Sequence, residues 1–117
     1  MQKLVEFDRP IIRVGMVLRF ITRGFLVEKP TDFLVFNPRD PQNGLGLVEA
    51  TGYHAGEIYV VFPSESRYTG RVTEGEFSVN SISTDWLIQN WSQWVCPKCK
   101  VEDAWILDRY PDPKLRS

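Results

Sequence analysis

The chain is poor in the residues that carry most enzyme chemistry. Its 117 residues include two cysteines, one histidine and two methionines, and its 14 basic and 15 acidic side chains nearly cancel. Each shortage narrows the field. Two cysteines three positions apart make no disulfide framework of the kind small secreted domains rely on. A formal net charge of -1 argues against a nucleic-acid binder, because phosphate neutralisation normally demands a basic excess. No apolar run approaches the roughly 20 residues of a membrane span, and the first ten residues carry Glu6 and Asp8 instead of a signal-peptide core. The expected compartment is the cytoplasm, with no membrane partner.

Catalytic sets are equally scarce. His54 could serve as a general base, but no serine sits in a G-x-S-x-G elbow and no nucleophile motif lies near it. A histidine between Gly52 and Gly56 reads more simply as a solvated turn residue. No glycine-rich phosphate cradle is present, since the glycines stand singly at turn positions. Lys3, Arg13, Arg19, Arg23, Arg67 and Arg71 are scattered, with Glu65, Glu74 and Glu76 offsetting the last two. No catalytic residue and no cofactor is expected.

Cys96-Pro97-Lys98-Cys99 is the sharpest local motif. Two thiolates at this spacing can fill two of the four tetrahedral positions of zinc, but no further cysteine completes the set and His54 is remote. A catalytic redox pair needs its first thiol at a helix N-terminus, whereas this pair follows a helical pattern. The expectation is no metal site, with Cys96 and Cys99 as its weak candidates; the pair reads first as two partly buried thiols, with a reversible disulfide as the other state open to them.

What is present is ordinary globular composition, 43% hydrophobic and 25% charged, enough to build one core in a single domain spanning 1–117. Strands are expected at 12–22, interrupted by Gly15, then at 32–37, 45–50 and 57–62. Asn37-Pro38, Asp40-Pro41 and Asn43-Gly44 break the second from the third. The 45–63 stretch reads as one antiparallel hairpin turning at 52–56. The polar, glycine-containing segment 64–80 reads as a long loop, with a small hairpin at 73–79. Ser83 or Thr84 can cap a helix that runs to Trp91 or Trp94, and Asp85 suits its first turn. A last strand falls at 102–108, and 111–117 reads as a frayed tail. The fold class is mainly β (α+β): a small twisted antiparallel sheet, or an SH3-like barrel, with one C-terminal helix.

Aromatic residues supply the positive signal. Trp86, Trp91 and Trp94 fall within nine residues, and two of the three are expected to pin the helix to the core, Trp86 among them. Glu49, Tyr53, Glu57 and Tyr59 crowd the hairpin, and Glu65, Glu74 and Glu76 follow it. By the period-two rule, Glu57 and Tyr59 would share one strand face. These seven residues are the expected partner-binding set, since tyrosine dominates interface hot spots and acidic side chains steer association.

The runs G-M-V-L-R-F at 15–20, G-Y-H-A-G at 52–56, Y-V-V-F-P at 59–63, S-T-D-W-L-I-Q-N-W at 83–91 and W-V-C-P at 94–97 together resemble the immunity protein 45 family of bacteria, found beside polymorphic toxins. The resemblance covers nearly the whole chain, with 67–80 as an insertion relative to the pattern. It implies a protein that binds a cognate toxin effector domain and blocks or distorts its active site. It transfers no functional residues, and it names neither the toxin nor the binding surface. Two other readings remain: a zinc- or thiol-dependent module built on Cys96 and Cys99, and a small-barrel nucleic-acid binder.

Overall fold

The computed structural model describes residues 2–21, 30–69 and 80–108. Short strands β1 (Gln2–Lys3) and β2 (Ile11–Ile12) precede three consecutive antiparallel strands, β3 (Val17–Ile21), β4 (Pro30–Phe36) and β5 (Asn43–Glu49). The remaining elements are β6 (Ile58–Pro63), β7 (Ile82–Ser83), α1 (Thr84–Gln89), α2 (Trp91–Trp94) and β8 (Trp105–Leu107). Six strands form an antiparallel sheet in the order β1-β8-β3-β4-β5-β6, and β2 pairs with β7 in a small ribbon.

The sheet is open, with β1 and β6 at its edges, so the architecture is the small antiparallel sheet and not the SH3-like barrel. The expected strand at 12–22 is two elements. Gly15, at φ 94°, turns the chain between them and donates to Val35 O at 2.9 Å. The left-handed region it occupies is cheap for glycine alone. The expected strand at 102–108 shortens to β8, because a 3-10 turn occupies Val101–Asp103. A 3-10 turn also starts the long loop at Ser64–Ser66, and Arg67 then bridges Ile82. The hairpin expected at 73–79 and the tail at 111–117 lie outside the described residues.

The helical segment starts as its sequence demands. Ser83 caps α1, its Oγ accepting from Trp86 N at 3.2 Å. The single helix expected beyond it is broken at Asn90, whose φ of -107° leaves the helical range. Asn90 repairs the break itself, since its N and Nδ2 both donate to Trp86 O, at 2.9 and 2.8 Å.

Both helices lie on one face of the sheet. Their Leu87, Trp91 and Val95 side meets Leu18, Phe20, Phe33, Val35, Leu45, Leu47, Phe62 and Ile106. Phe20 stacks on Phe33 with centroids 4.4 Å apart, and Trp91 meets Phe20 edge-on at 5.0 Å. Each fully buried side chain of this kind contributes about 1.5–3 kcal/mol. Of the three clustered tryptophans, Trp91 is the buried one. Trp86 and Trp94 are half-buried, and Trp86 packs edge-on against Phe62 at 5.7 Å.

Candidate functional site

The β5–β6 hairpin carries most of the described residues expected to bind a partner, and its tip is tightly built. Gly52 and Gly56 both have φ 93°, which lets the chain reverse over five residues. Gly56 N donates to Glu49 O at 2.6 Å, and Glu49 N donates to Glu57 O at 2.9 Å. The Glu49 carboxylate reaches into the turn, where Oε2 accepts from His54 N at 3.1 Å. His54 Nδ1 lies 2.9 Å from Glu57 Oε2, with both side chains exposed. Tyr53 stands beyond them at 97% exposure, its ring edge-on to His54 at 5.2 Å. An acidic, aromatic knuckle results, in which Glu49 and His54 hold the turn while Tyr53 and one side of Glu57 face solvent.

The root of the knuckle is fixed to the sheet. Thr51 Oγ1 accepts from Asp32 N at 3.0 Å, and Ala50 N donates to Asp32 O at 2.8 Å. Asp32 itself is buried, and Arg19 grips its carboxylate with Nε and Nη2 at 2.5 and 3.0 Å. A bidentate pair of this geometry is rigid as well as strong. In the sequence Arg19 is one of several scattered basic residues. The signal that marks it is position: Arg19 and Asp32 are direct cross-strand partners once β3 pairs with β4.

Tyr59 departs from its expected place. The β5–β6 register shifts between Leu47 and Val48, so that Leu47 pairs with Val60 and Val48 with Ile58. Tyr59 is the extra residue of this β-bulge, and the bulge turns its side chain onto the helix side. Its ring packs against Phe33 at 4.7 Å and Phe20 at 6.3 Å, and its hydroxyl donates to Val95 O at 2.5 Å. Burial, and then the Glu49 carboxylate, push the Tyr59 phenol above its ordinary pKa. The core takes up the Tyr59 ring, while Glu57 is held at the knuckle beside His54. Glu65 is exposed in the 3-10 turn at the far end of β6, a strand length away from the knuckle. Glu74 and Glu76 lie outside the described residues.

Cys96 and Cys99 are joined as a disulfide, directly after α2, and are not the two thiols expected. Trp91 Nε1 donates to Cys99 O at 2.9 Å, so the bridged turn is clamped to the core tryptophan. No cluster of three or more His, Cys, Asp or Glu side chains able to share a metal occurs among the described residues. Beside the disulfide lies a cleft of about 420 Å³, with Lys3, Lys98, Lys100, Asp103 and Trp105 on its walls. Lys3 Nζ sits 5.8 Å from the centre of the Trp105 ring. Sequence order hides this cleft, because β1 and β8 come from opposite ends of the chain.

These features add up to a positioned surface knuckle with no catalytic constellation in it. The model of the family described as immunity protein 45 matches residues 4–106. The chain belongs to the immunity protein 45 family. The match runs from the 3-10 turn after β1 through the second residue of β8, so it takes in the β6 edge and the whole β5–β6 hairpin. No curated protein and no solved structure matches the chain. No helix among the described residues is long and apolar enough to cross a membrane.

Proposed function

We propose that this protein neutralises a cognate bacterial toxin in the cytoplasm by binding its effector domain and covering or distorting the active site. The action is stoichiometric and non-enzymatic. The observation that carries this reading is the family match over residues 4–106. The knuckle supports it: Tyr53 is held out at 97% exposure on a braced turn, with Glu49 and Glu57 beside it. A tyrosine fixed in place loses little entropy on docking, and neighbouring carboxylates attract the basic site that a nuclease toxin would present. Tyr59 serves by setting the strand through its bond to Val95, and Glu65 adds a further exposed carboxylate; Glu74 and Glu76 remain binding candidates by their acidic charge alone.

Alanine changes at Tyr53, Glu57 and Glu65 test this reading, scored for affinity to the toxin domain encoded beside the gene and for protection of cells expressing it. Tyr53→Ala is expected to weaken binding by about 2 kcal/mol or more. Glu57→Ala and Glu65→Ala should act mainly on the association rate and its salt dependence. A folded wild-type protein that neither binds that toxin domain nor protects would sink the reading.

A further inference from the structure

β6 is a sheet edge, and its backbone is turned outward at two defined residues. Ala50 N donates to Asp32 O, and Val48 and Gly46 pair with Leu34 and Phe36. Hydrogen bonding in an antiparallel strand alternates between its two neighbours, so Val48 and Gly46 direct their backbone groups to β4. Their partners across the other ladder, Ile58 and Val61, thus point their own N–H and C=O groups away from β5. Among the described residues β5 is the one ladder neighbour of β6, and no turn, loop or cap backbone bond engages Ile58 or Val61.

Exposed edges are normally blunted by charge or proline, since they invite another strand. From Ile58 to Phe62 this edge reads I-Y-V-V-F, with no charge and with proline only at its end, Pro63. Ile58 is 62% exposed. The exposed carboxylates of Glu57 and Glu65 stand just beyond its two ends. A two-fold pairing of β6 with a second copy would be antiparallel, setting the Glu57 end of each copy alongside the Glu65 end of the other. Like charges across a ladder oppose that pairing, while basic groups at the same positions favour it.

We propose that the β6 edge is a docking strand, onto which an extended apolar segment of the toxin, flanked by basic residues, adds as a further strand bonded to Ile58 and Val61. The proposal rests on the toxin-binding reading and names where and how the partner attaches. Main-chain bonds supply the attachment, and the Ile58 side chain with the two flanking glutamates supplies the choice of segment.

The test uses the full chain and the purified toxin domain encoded beside its gene. Amide exchange is measured at Ile58 and Val61 with and without toxin, and affinity is measured for Val61→Pro and Ile58→Lys. Proline at 61 removes an outward N–H while leaving the β5 ladder intact, as edge strands allow. The expected result is slowing of both amides by about tenfold or more in the complex. Each variant should lose affinity by about tenfold or more with its thermal midpoint near wild type. If the toxin binds but both amides exchange as before and both variants bind normally, the docking strand is refuted and the immunity reading stands. If the wild type does not bind the toxin, the immunity reading falls and takes this one with it. A wild-type dimer that Val61→Pro dissociates would also overturn the proposal, by giving the edge to a second copy. Should Val61→Pro fail to fold, Ile58→Lys and the exchange data decide.

Discussion

The hydroxyl of Tyr59 donates to the carbonyl of Val95 at 2.5 Å, tying the edge strand of the sheet to the end of the second helix across 36 positions of chain. Tyr59→Phe keeps the ring against Phe33 and Phe20 but leaves that carbonyl without its partner. The expected loss is about 1–2 kcal/mol in denaturant unfolding. Equal stability of the two proteins would show that water replaces the bond at no cost.

The same tyrosine predicts a pH dependence. Its phenol is raised above the ordinary value of 10.0, chiefly by burial and then by Glu49. A group whose pKa is raised on folding stabilises fully below its unfolded value, and that contribution is lost as pH rises through the folded value. Wild-type stability should therefore fall above about pH 10 more steeply than that of Tyr59→Phe. Parallel pH profiles, read from thermal midpoints, would contradict this.

Arg19 and Asp32 form a pair in which the carboxylate is buried and the guanidinium a third exposed. Arg19→Met strands the buried charge, and the expected cost is about 3 kcal/mol, at the low end for buried pairs because solvent reaches the arginine side. Arg19→Met with Asp32→Val removes both charges and should recover part of that loss. A double variant less stable than Arg19→Met alone would show that Asp32 is held mainly by its other contacts.

Trp91 is 2% exposed, whereas Trp86 is half-buried. Trp91→Ala should cost about 3–5 kcal/mol, and Trp86→Ala clearly less. The reverse order in thermal unfolding would place the anchor of the helical segment in α1.

The Cys96–Cys99 bridge closes a loop of four residues. Loop-closure entropy for so short a ring amounts to about 2 kcal/mol. Reduction, or the double change Cys96→Ser with Cys99→Ser, should lower stability by about that much and leave the protein folded. Complete unfolding on reduction would show that the turn organises the core beneath it.

The sequence by itself determined the elements whose signals are local. β4, β5 and β6 follow from apolar and β-branched runs bounded by Pro30, Asn37-Pro38, Asn43-Gly44 and Pro63. The knuckle follows from Gly52 and Gly56, and the start of α1 follows from Ser83. The single histidine and the C-x-x-C pair are countable without a fold, but that Cys96 and Cys99 are bonded to each other is decided by the structure. The family pattern lay in the same turn and helix signals. Tertiary structure alone decided what depends on partners distant in the chain. Strict alternation sets Tyr59 and Val60 on opposite faces, but the bulge opposite Leu47, which turns both toward the core, exists only once β5 and β6 have paired. Arg19 looks like a surface charge until β4 places Asp32 across from it. The helical pattern runs unbroken through Asn90, where the chain nonetheless leaves the helical range. Which strand is an edge is likewise a property of the assembled sheet. That the Ile58 and Val61 backbone groups point away from β5 follows from pairing order, which no window of local sequence contains.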